Sequence, residues 1–170
     1  MGGDAKVLSK SKICGITMIF ASFGNSPVPF FRMAESIENY AEMTGEEVVV
    51  QSGHTHFQYK FCKVFPFMDK DTFFYNLQNC SVAVLQGGWG SISEASEMGV
   101  RIVAFPRQKG KEHHHDQIQL VRALEAQGIC LGCYDESCLP QLIEKAKSYF
   151  FKPINRGSAE KDINDFLNSF

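Results

Sequence analysis

Residues 86–91, QGGWGS, combine three glycines with a helix start, and together these features can bind an anion. Gly87, Gly88 and Gly90 carry no side chain, so backbone amides can approach a ligand closely. Ser91 then opens a segment with helical spacing, and the free amides and dipole of a helix start favour negative charge. The stretch therefore predicts a binding site for a phosphate-bearing ligand.

The glycine pattern differs from that of a dinucleotide site. A dinucleotide loop has the spacing G-x-G-x-x-G and an acidic residue at a strand end about 20 positions later. Here the pattern is GGxGS, and the next apolar run, Val103 to Phe105, leads into Pro106. We therefore do not expect NAD as a ligand.

Ser91 and Glu94 allow two interpretations. The pattern S-x-x-E at a helix start is a capping box, in which both side chains bond to free amides of the first turn. A carboxylate at the same place, beside a phosphate-sized loop, can instead accept hydrogen bonds from both hydroxyls of a ribose. Both interpretations stay open on these residues alone.

Strands and helices alternate along most of the chain that carries this loop. Apolar runs predict strands at 13–23, 48–50, 62–67, 81–85, 102–105 and 129–131. Apolar residues at spacings of 3 and 4, with capping residues and terminal glycines, predict helices at 29–44, around 73–77, and at 92–98, 116–126, 139–150 and 159–168. Short connections between such elements imply right-handed crossovers. The predicted fold is an α/β domain with a Rossmann-like parallel sheet and helices on both faces.

The predicted domain covers residues 13–170, and residues 1–12 are expected to be a flexible arm or an expression remnant. A chain of 170 residues with 44% hydrophobic content can bury the core of one such domain. In parallel sheets, ligands bind beyond the carboxyl ends of the strands. The glycine stretch at 86–91 follows such an end.

The charge and hydropathy of the chain exclude several functions. A net charge of −2 provides no basic field for a phosphate backbone, so nucleic-acid binding is not expected. Neither an apolar run long enough to cross a membrane nor a signal peptide is recognisable. We therefore expect a soluble, cytoplasmic protein.

The six cysteines are expected to be free thiols, because Cys14 and Cys80 border apolar segments. The alternative is a zinc site that joins the cluster Cys130, Cys133 and Cys138 to one of His113–His115. Adjacent histidines cannot all face one ion, so no metal is expected. The roles of the histidine run and of the cysteine cluster stay open.

Five short motifs follow one another along the chain: MIF at 18–20 followed by Gly24, VVQSG at 49–53, QGGWGSISEA at 86–95, FPR at 105–107 and DQ at 116–117. Together they resemble the C-terminal, donor-binding half of family 28 glycosyltransferases, in particular the small split-subunit branch of Alg13-like and PssE-like proteins. The resemblance covers roughly residues 16–150 and implies one half of a two-lobed GT-B glycosyltransferase.

The resemblance implies a UDP-sugar site, with the UDP-sugar as donor substrate and no further cofactor. Residues 87–91 would lie along the nucleotide, Glu94 would hold the ribose and Gln117 would face the diphosphate or the sugar. The loop of Gly24, Asn25 and Ser26 would approach the phosphates from the other side. The complete implied set is Gly24, Asn25, Ser26, Gly87, Gly88, Trp89, Gly90, Ser91, Glu94, Arg107, Asp116 and Gln117.

Three features depart from the family pattern. Gln86 stands where the family usually has histidine, Trp89 replaces a small residue, and the loop at 109–115 is shorter or differently arranged. Trp89 can stack on uracil, cap a partner surface, or simply be a partly buried aromatic residue.

The implied function is half of an enzyme, because about 150 residues cannot contain a second lobe. The partner would be a membrane-anchored, acceptor-binding subunit, and the pair would add a sugar with inversion to a lipid-linked polyprenyl or dolichyl diphosphate on the cytoplasmic side. No catalytic residue is assigned here, and the general base is expected from the partner. The alternatives are a non-catalytic binding or regulatory subunit and an epimerase or hydrolase acting on nucleotide sugars.

The aromatic C-terminus allows two interpretations of its own. It can dock on that subunit or on a membrane surface, or its last helix can fold back on the core. Its apolar residues are Tyr149, Phe150, Phe151, Phe166, Leu167 and Phe170.

Overall fold

The structure is a computed structural model that describes residues 18–154 and 163–165. Its strands are β1 (Met18–Ser22), β2 (Glu47–Gln51), β3 (Lys63–Phe65), β4 (Val82–Gln86), β5 (Ile102–Phe105) and β6 (Leu131–Gly132). Its helices are α1 (Phe31–Thr44), α2 (Lys70–Asn79), α3 (Trp89–Glu97), α4 (Gln117–Ala126) and α5 (Leu139–Ser148), the last preceded by a short 3-10 helix at Glu136–Cys138.

The six strands form one sheet in the order β3-β2-β1-β4-β5-β6, and every neighbouring pair is parallel. The chain first builds outwards from β1 to β3, then crosses back to place β4 on the other side of β1. The order therefore reverses between β1 and β4, as in doubly wound folds.

Helices cover both faces of this sheet because side chains alternate along each strand. In β4, Val82 and Val84 pack with α1 and α5, whereas Ala83 and Leu85 pack with α2, α3 and α4. Each of the two core clusters is built almost entirely from fully buried aliphatic and aromatic side chains. The predicted fold class is confirmed.

The element boundaries differ from the predictions at several ends. The first strand ends at Ser22 rather than Phe23, and the predicted residues 13–17 lie outside the described residues. Helix α1 begins at Phe31, two residues after Pro29. The helix predicted at 159–168 falls mostly outside the described residues, of which 163–165 are helical. The arm predicted at 1–12 lies outside them as well.

The cysteines within the described residues are free thiols. Burial raises the pKa of Cys130 and of Cys133 to about 12, so both thiols are protonated at neutral pH. Cys138 is exposed on the 3-10 helix. Within residues 18–154 and 163–165, no group of three or more histidine, cysteine, aspartate or glutamate side chains is placed to hold a metal ion.

The part of the chain that the structure describes contains no helix that is both long and apolar enough to cross a bilayer. At its C-terminal side, Tyr149 and Phe151 contact each other edge to face and pack against the core, while Phe150 is 91% exposed. The remaining aromatic positions of the predicted docking segment, 166 and 170, lie outside the described residues.

Candidate functional site

The turns after β1 and β4 border the crevice at the point where the strand order reverses. Helix α1, which follows β1, packs on one face of the sheet, and α3, which follows β4, packs on the other. Open parallel sheets bind their ligands at such a switch point. The two segments predicted to approach phosphates, 24–26 and 87–91, are the turns at this crevice.

The side chain of Gln86, the last residue of β4, lies between these two turns. A Cβ atom on Gly88 would stand 2.2 Å from Gln86 Nε2, and a Cβ atom on Gly24 would stand 2.9 Å from the same atom. Both distances are too short for real carbon contacts. A side chain at Gly24 or Gly88 would therefore displace the Gln86 amide, which occupies the space between the turns.

The other two glycines of the stretch differ from each other. A Cβ atom on Gly87 would stand 2.9 Å from the Cα atom of Pro106, so this position is closed by the end of β5. At Gly90, no described atom comes within 4 Å of the position a Cβ atom would take. Gly90 is thus the glycine of this loop that leaves room for a ligand.

Helix α3 begins without a side-chain cap. Its N-cap is Gly88, in an extended conformation, and no side chain bonds to the first turn. The amides of Trp89, Gly90 and Ser91, the first three helical residues, have no carbonyl acceptor within the helix. The capping-box interpretation of Ser91 and Glu94 is wrong, because the helix begins two residues before Ser91 and a glycine takes the cap position.

Glu94 lies one turn further along α3 and lines an open cleft of about 410 Å³ between α2 and α3. Its carboxylate is partly exposed and accepts no hydrogen bond and forms no ion pair within the described residues. The carboxylate is therefore available to a ligand.

Gln117 connects the ends of β4 and β5 through a hydrogen-bond chain. The backbone amide of Arg107 donates to Gln117 Oε1 (2.9 Å), and Gln117 Nε2 donates to Gln86 Oε1 (2.8 Å). A backbone N–H can only donate, so this chain orients both side-chain amides. Gln117 is 5% exposed, and the free donor at the crevice is Nε2 of Gln86, which bonds to no described residue.

Gln86 is the crevice residue that the sequence did not indicate as part of the site, since it stood out only as a departure from the family pattern. A polar residue at the end of a buried strand, directly before a glycine pair, is the signal that could have identified it. A direct contact between Gln117 and the ligand remains a prediction. In the structure, Gln117 orients the side chain of Gln86.

Arg107 lies behind the β1 turn, at 1% exposure. Its guanidinium donates to the carbonyls of Phe23 (2.9 Å) and Val28 (2.8 Å) and lies 4.3 Å from the ring centroid of Phe30. Burial lowers the pKa of Arg107 to about 10, so the side chain remains charged at neutral pH, and the nearby Glu112 opposes this shift. Arg107 thus holds both ends of the loop that carries Gly24.

The remaining predicted residues occupy different positions at this edge. Asn25 is exposed, and Ser26 Oγ accepts a bond from the amide of Val28 (3.3 Å). Asp116 caps α4 by accepting bonds from the amides of the second and third helical residues. Trp89 is half-buried against the core cluster of α2, α3 and α4, and its stacking on a base remains a prediction.

Arg32, which no sequence motif indicated, braces the loops on the other side of the crevice. It donates to the carbonyl of Pro106 (2.9 Å) and pairs with Glu112 (3.0 Å) and Glu136 (3.4 Å). Its guanidinium lies 4.7 Å from the ring centroid of Phe105. Glu112, in the loop that contains the histidine run, is thereby turned inwards, while the second and third histidines are exposed.

No protein-family model and no curated protein matches this sequence. Solved structures match its fold. The glycotransferase of kitacinnamycin matches with a TM-score of 0.58 and 18% identity, over 99% of this chain and 44% of its own. MurG from Acinetobacter baumannii matches with a TM-score of 0.55 and 15% identity, over 94% of this chain and 51% of its own. A protein assigned as a UDP-N-acetylglucosamine 2-epimerase from Listeria monocytogenes matches with a TM-score of 0.54 and 15% identity, over 91% of this chain and 45% of its own.

The chain has the fold of one half of a GT-B glycosyltransferase. It spans about half the length of each of these structures, and the low identities make the likeness one of fold. The sheet order and the helices on both faces correspond to the C-terminal half that the resemblance implied.

Proposed function

We propose that this protein is the UDP-sugar-binding subunit of an inverting, two-component glycosyltransferase. The observation that carries the proposal is the open start of α3. Its first three amides have no cap, Gly90 leaves space beside them, and the Glu94 carboxylate has no partner among the described residues. A diphosphate with an attached ribose has the charge and the hydroxyls to occupy all three features.

The diphosphate of a sugar nucleotide carries two negative charges, and this crevice offers neutral donors to offset them. The amides of Trp89, Gly90 and Ser91 lie at the positive end of the α3 dipole. Gln86 Nε2 lies between the two turns, and the loop at 24–26 faces the same space. Clustered amide donors of this kind bind phosphate without a metal ion.

In the proposed reaction, an acceptor hydroxyl attacks the anomeric carbon from the face opposite the nucleotide. The bond between that carbon and the UDP oxygen breaks, and UDP leaves with the electron pair. Preorganised amides that bind the departing oxyanion lower the barrier for this step. The proton of the hydroxyl passes to a base that the acceptor-binding partner supplies.

Two considerations support the proposed partner and acceptor. This chain corresponds to about half of the glycosyltransferases that it matches in fold, and its motifs resemble the split-subunit branch. A membrane-anchored subunit would bind a lipid-linked polyprenyl or dolichyl diphosphate, and this protein would associate with the cytoplasmic face of the membrane through it.

A second candidate is an enzyme that epimerises nucleotide sugars, because one solved structure of this fold is assigned as a UDP-N-acetylglucosamine 2-epimerase. The protein alone would then interconvert UDP-sugars, whereas the proposed transferase would need its partner and an acceptor. A non-catalytic binding or regulatory subunit would bind UDP and show no transfer even after reconstitution with a partner.

Calorimetric titration with UDP tests the ribose role of Glu94. In Glu94→Ala, the dissociation constant for UDP should rise about tenfold or more, because charged hydrogen bonds contribute about 1.5–3 kcal/mol. The melting temperature should stay close to that of the natural protein, since Glu94 caps no amide. Glu42→Ala, which removes an exposed acid from α1, is the matched control and should bind UDP normally. Unchanged UDP affinity in Glu94→Ala would remove the ribose role, and no UDP binding by the natural protein would overturn the proposal.

A further inference from the structure

Strand β3 forms one edge of the sheet, and aromatic side chains are exposed along it. On one side it pairs with β2, and no described strand pairs with its other side. Val64 packs against the core cluster that contains α1 and α5. Phe61, Phe65 and Phe67, by contrast, are 50%, 37% and 51% exposed. Exposed apolar side chains that cluster in this way mark an interaction surface.

Lysines alternate with these phenylalanines. Lys60 and Lys63 are exposed, and the ammonium group of Lys63 lies 5.7 Å from the ring centroid of Phe65. Neither lysine forms an ion pair within the described residues. Residues 48–68 contain no aspartate or glutamate, although the whole chain has a net charge of −2. We call the surface of Lys60, Phe61, Lys63, Phe65 and Phe67 the basic aromatic edge.

The loop before β3 is anchored from below, so that its backbone holds Phe61 at the surface. The carboxylate of Glu38, on α1, is 8% exposed and accepts hydrogen bonds from the backbone amides of Lys60 and Phe61, the latter at 3.0 Å. A partner therefore meets a loop whose backbone is already ordered, and ordering it costs little on binding.

The residues of this surface favour lipid over protein as the partner. Lys63 within β3 and Pro66 directly after it discourage pairing with a further strand. The buried centre of a protein interface is depleted in lysine, and a two-fold contact between copies would bring Lys60 and Lys63 close to like charges. At an anionic bilayer, aromatic rings enter the interfacial layer while lysine side chains reach the phosphate groups.

We propose that the basic aromatic edge binds directly to a membrane surface with anionic lipid headgroups. The inference does not depend on the UDP-sugar site, because it uses none of the residues assigned to that site. The surface reaches the ligand crevice at one point. A Cβ atom on Gly53 would stand 2.6 Å from the carbonyl oxygen of Gly24 and 4.0 Å from Cε1 of Phe67. A bilayer against Phe67 would therefore lie beside the turn that carries Gly24.

Co-sedimentation with vesicles tests this contact. One set of vesicles contains phosphatidylcholine alone, and the other contains equal parts of phosphatidylcholine and phosphatidylserine. The charge variant is Lys63→Glu, and Lys145→Glu on α5 is its matched control, because the ammonium group of Lys145 also lies 5.7 Å from an aromatic centroid, that of Tyr149. The apolar variant is Phe61→Ser, and its control is Phe150→Ser, at a ring that is 91% exposed near the C-terminus.

The natural protein should bind the anionic vesicles and bind the neutral ones weakly. Lys63→Glu should lower the partition coefficient on anionic vesicles about tenfold, since a lysine is replaced by a like charge at the anionic surface. Phe61→Ser should lower it about fivefold through the loss of apolar contact. Both controls should bind as the natural protein does, and added salt should weaken binding by screening.

Three outcomes would overturn the inference. The first is that the natural protein does not bind anionic vesicles. The second is an equal loss in Lys63→Glu and Lys145→Glu, or a loss in Phe150→Ser without one in Phe61→Ser, which would place the contact elsewhere. The third is dimerisation in analytical ultracentrifugation that Phe61→Ser abolishes, without vesicle binding, which would assign the surface to a second copy. UDP affinity is measured separately without vesicles, so the failure of either proposal is distinguishable from the failure of the other.

Discussion

Helices α3 and α4 begin at the same edge of the sheet, and they differ in how their first amides are satisfied. Helix α4 is capped by Asp116, which accepts bonds from the amides of Ile118 and Gln119. Helix α3 begins after Gly88 and has no side-chain cap. The first start is closed and contributes to stability, whereas the second is open and available to a ligand.

The same contrast holds for the residues behind each helix start. At α4, Gln117 and Arg107 are almost fully buried. The Gln117 amide bonds to the backbone amide of Arg107 and to Gln86, and the two terminal nitrogens of Arg107 donate to carbonyls. At α3, Gly90 faces empty space and Glu94 lines an open cleft. Substitutions should therefore lower stability on the α4 side and ligand affinity on the α3 side.

The largest expected effect comes from removing the buried cation on the closed side. Arg107→Met should lower the free energy of unfolding by about 3 kcal/mol, because the carbonyls of Phe23 and Val28 lose their donors in the interior. Chemical denaturation measures this loss. Arg101→Met, at a partly exposed arginine before β5, is the control and should change stability by less than about 0.5 kcal/mol. A similar small change in Arg107→Met would contradict the bracing role.

A smaller effect is expected at the cap of α4. Asp116→Ala should lower the free energy of unfolding by about 1 kcal/mol, the usual contribution of an aspartate cap. Asp116→Asn should retain most of the stability, since asparagine caps equally well. Both variants should bind UDP with nearly natural affinity in calorimetry. A large loss of UDP affinity in both would place Asp116 at the ligand, as the family resemblance implied.

The open side should respond in the opposite direction at Gly90. Gly90→Ala should raise the free energy of unfolding by about 0.5 kcal/mol, because alanine restricts the unfolded chain and its Cβ meets no described atom. The same methyl group should weaken UDP binding, since it enters the space proposed for the diphosphate. Thermal denaturation with and without UDP reports both quantities. Greater stability with unchanged UDP affinity would move the phosphate site away from the start of α3.

The smallest effect is a dependence on pH at a third helix start. Asp69 caps α2, and hydrogen bonds from the backbone amide and then the hydroxyl of Thr72 hold the pKa of Asp69 below its usual value. Because the folded pKa is lowered, the stabilisation is complete above the unfolded pKa of about 3.9 and is lost as the pH falls through the folded pKa.

An NMR titration of the Thr72 amide resonance should show this pKa directly. In Asp69→Asn, the titration of that resonance should disappear while the cap remains. The amide of Ser91, at the uncapped start of α3, should show no comparable titration. The hydrogen-bonded cap would be contradicted if the Thr72 amide resonance titrated with a midpoint at or above the ordinary pKa of aspartate.

Features of the fold that depend on neighbouring residues were easier to predict from the sequence than features that depend on distant residues. The ends of α1, α3 and α4 were predicted to within one residue by Gly45, Gly99 and Gly128, which lie one or two residues after these helices in the left-handed conformation. The start of α3 was predicted wrongly. S-x-x-E has the same spacing inside a helix as at its cap, and the preceding glycine allowed the helix to begin two residues earlier.

The roles of Gln86, Arg32 and Arg107 could not be predicted because their partners are distant in sequence. Gln86 bonds to a residue 31 positions away, Arg32 to one 74 positions away and Arg107 to one 84 positions away. A pattern of neighbouring residues in the sequence cannot predict contacts over such separations. The glycines around Gln86 were predicted to serve the ligand, and that role stays a prediction; the structure adds that a Cβ atom on Gly24 or Gly88 would meet the Gln86 amide.

By itself the sequence determined the alternation of strands and helices, and with it the parallel sheet and the edge at which a ligand can bind. These features depend on side-chain periodicity, which is local and repeats along each element. Only the tertiary structure decided which helix start stays open, because that depends on which distant side chains reach the first amides. The open start of α3 results from a glycine cap and from neighbours that bond elsewhere.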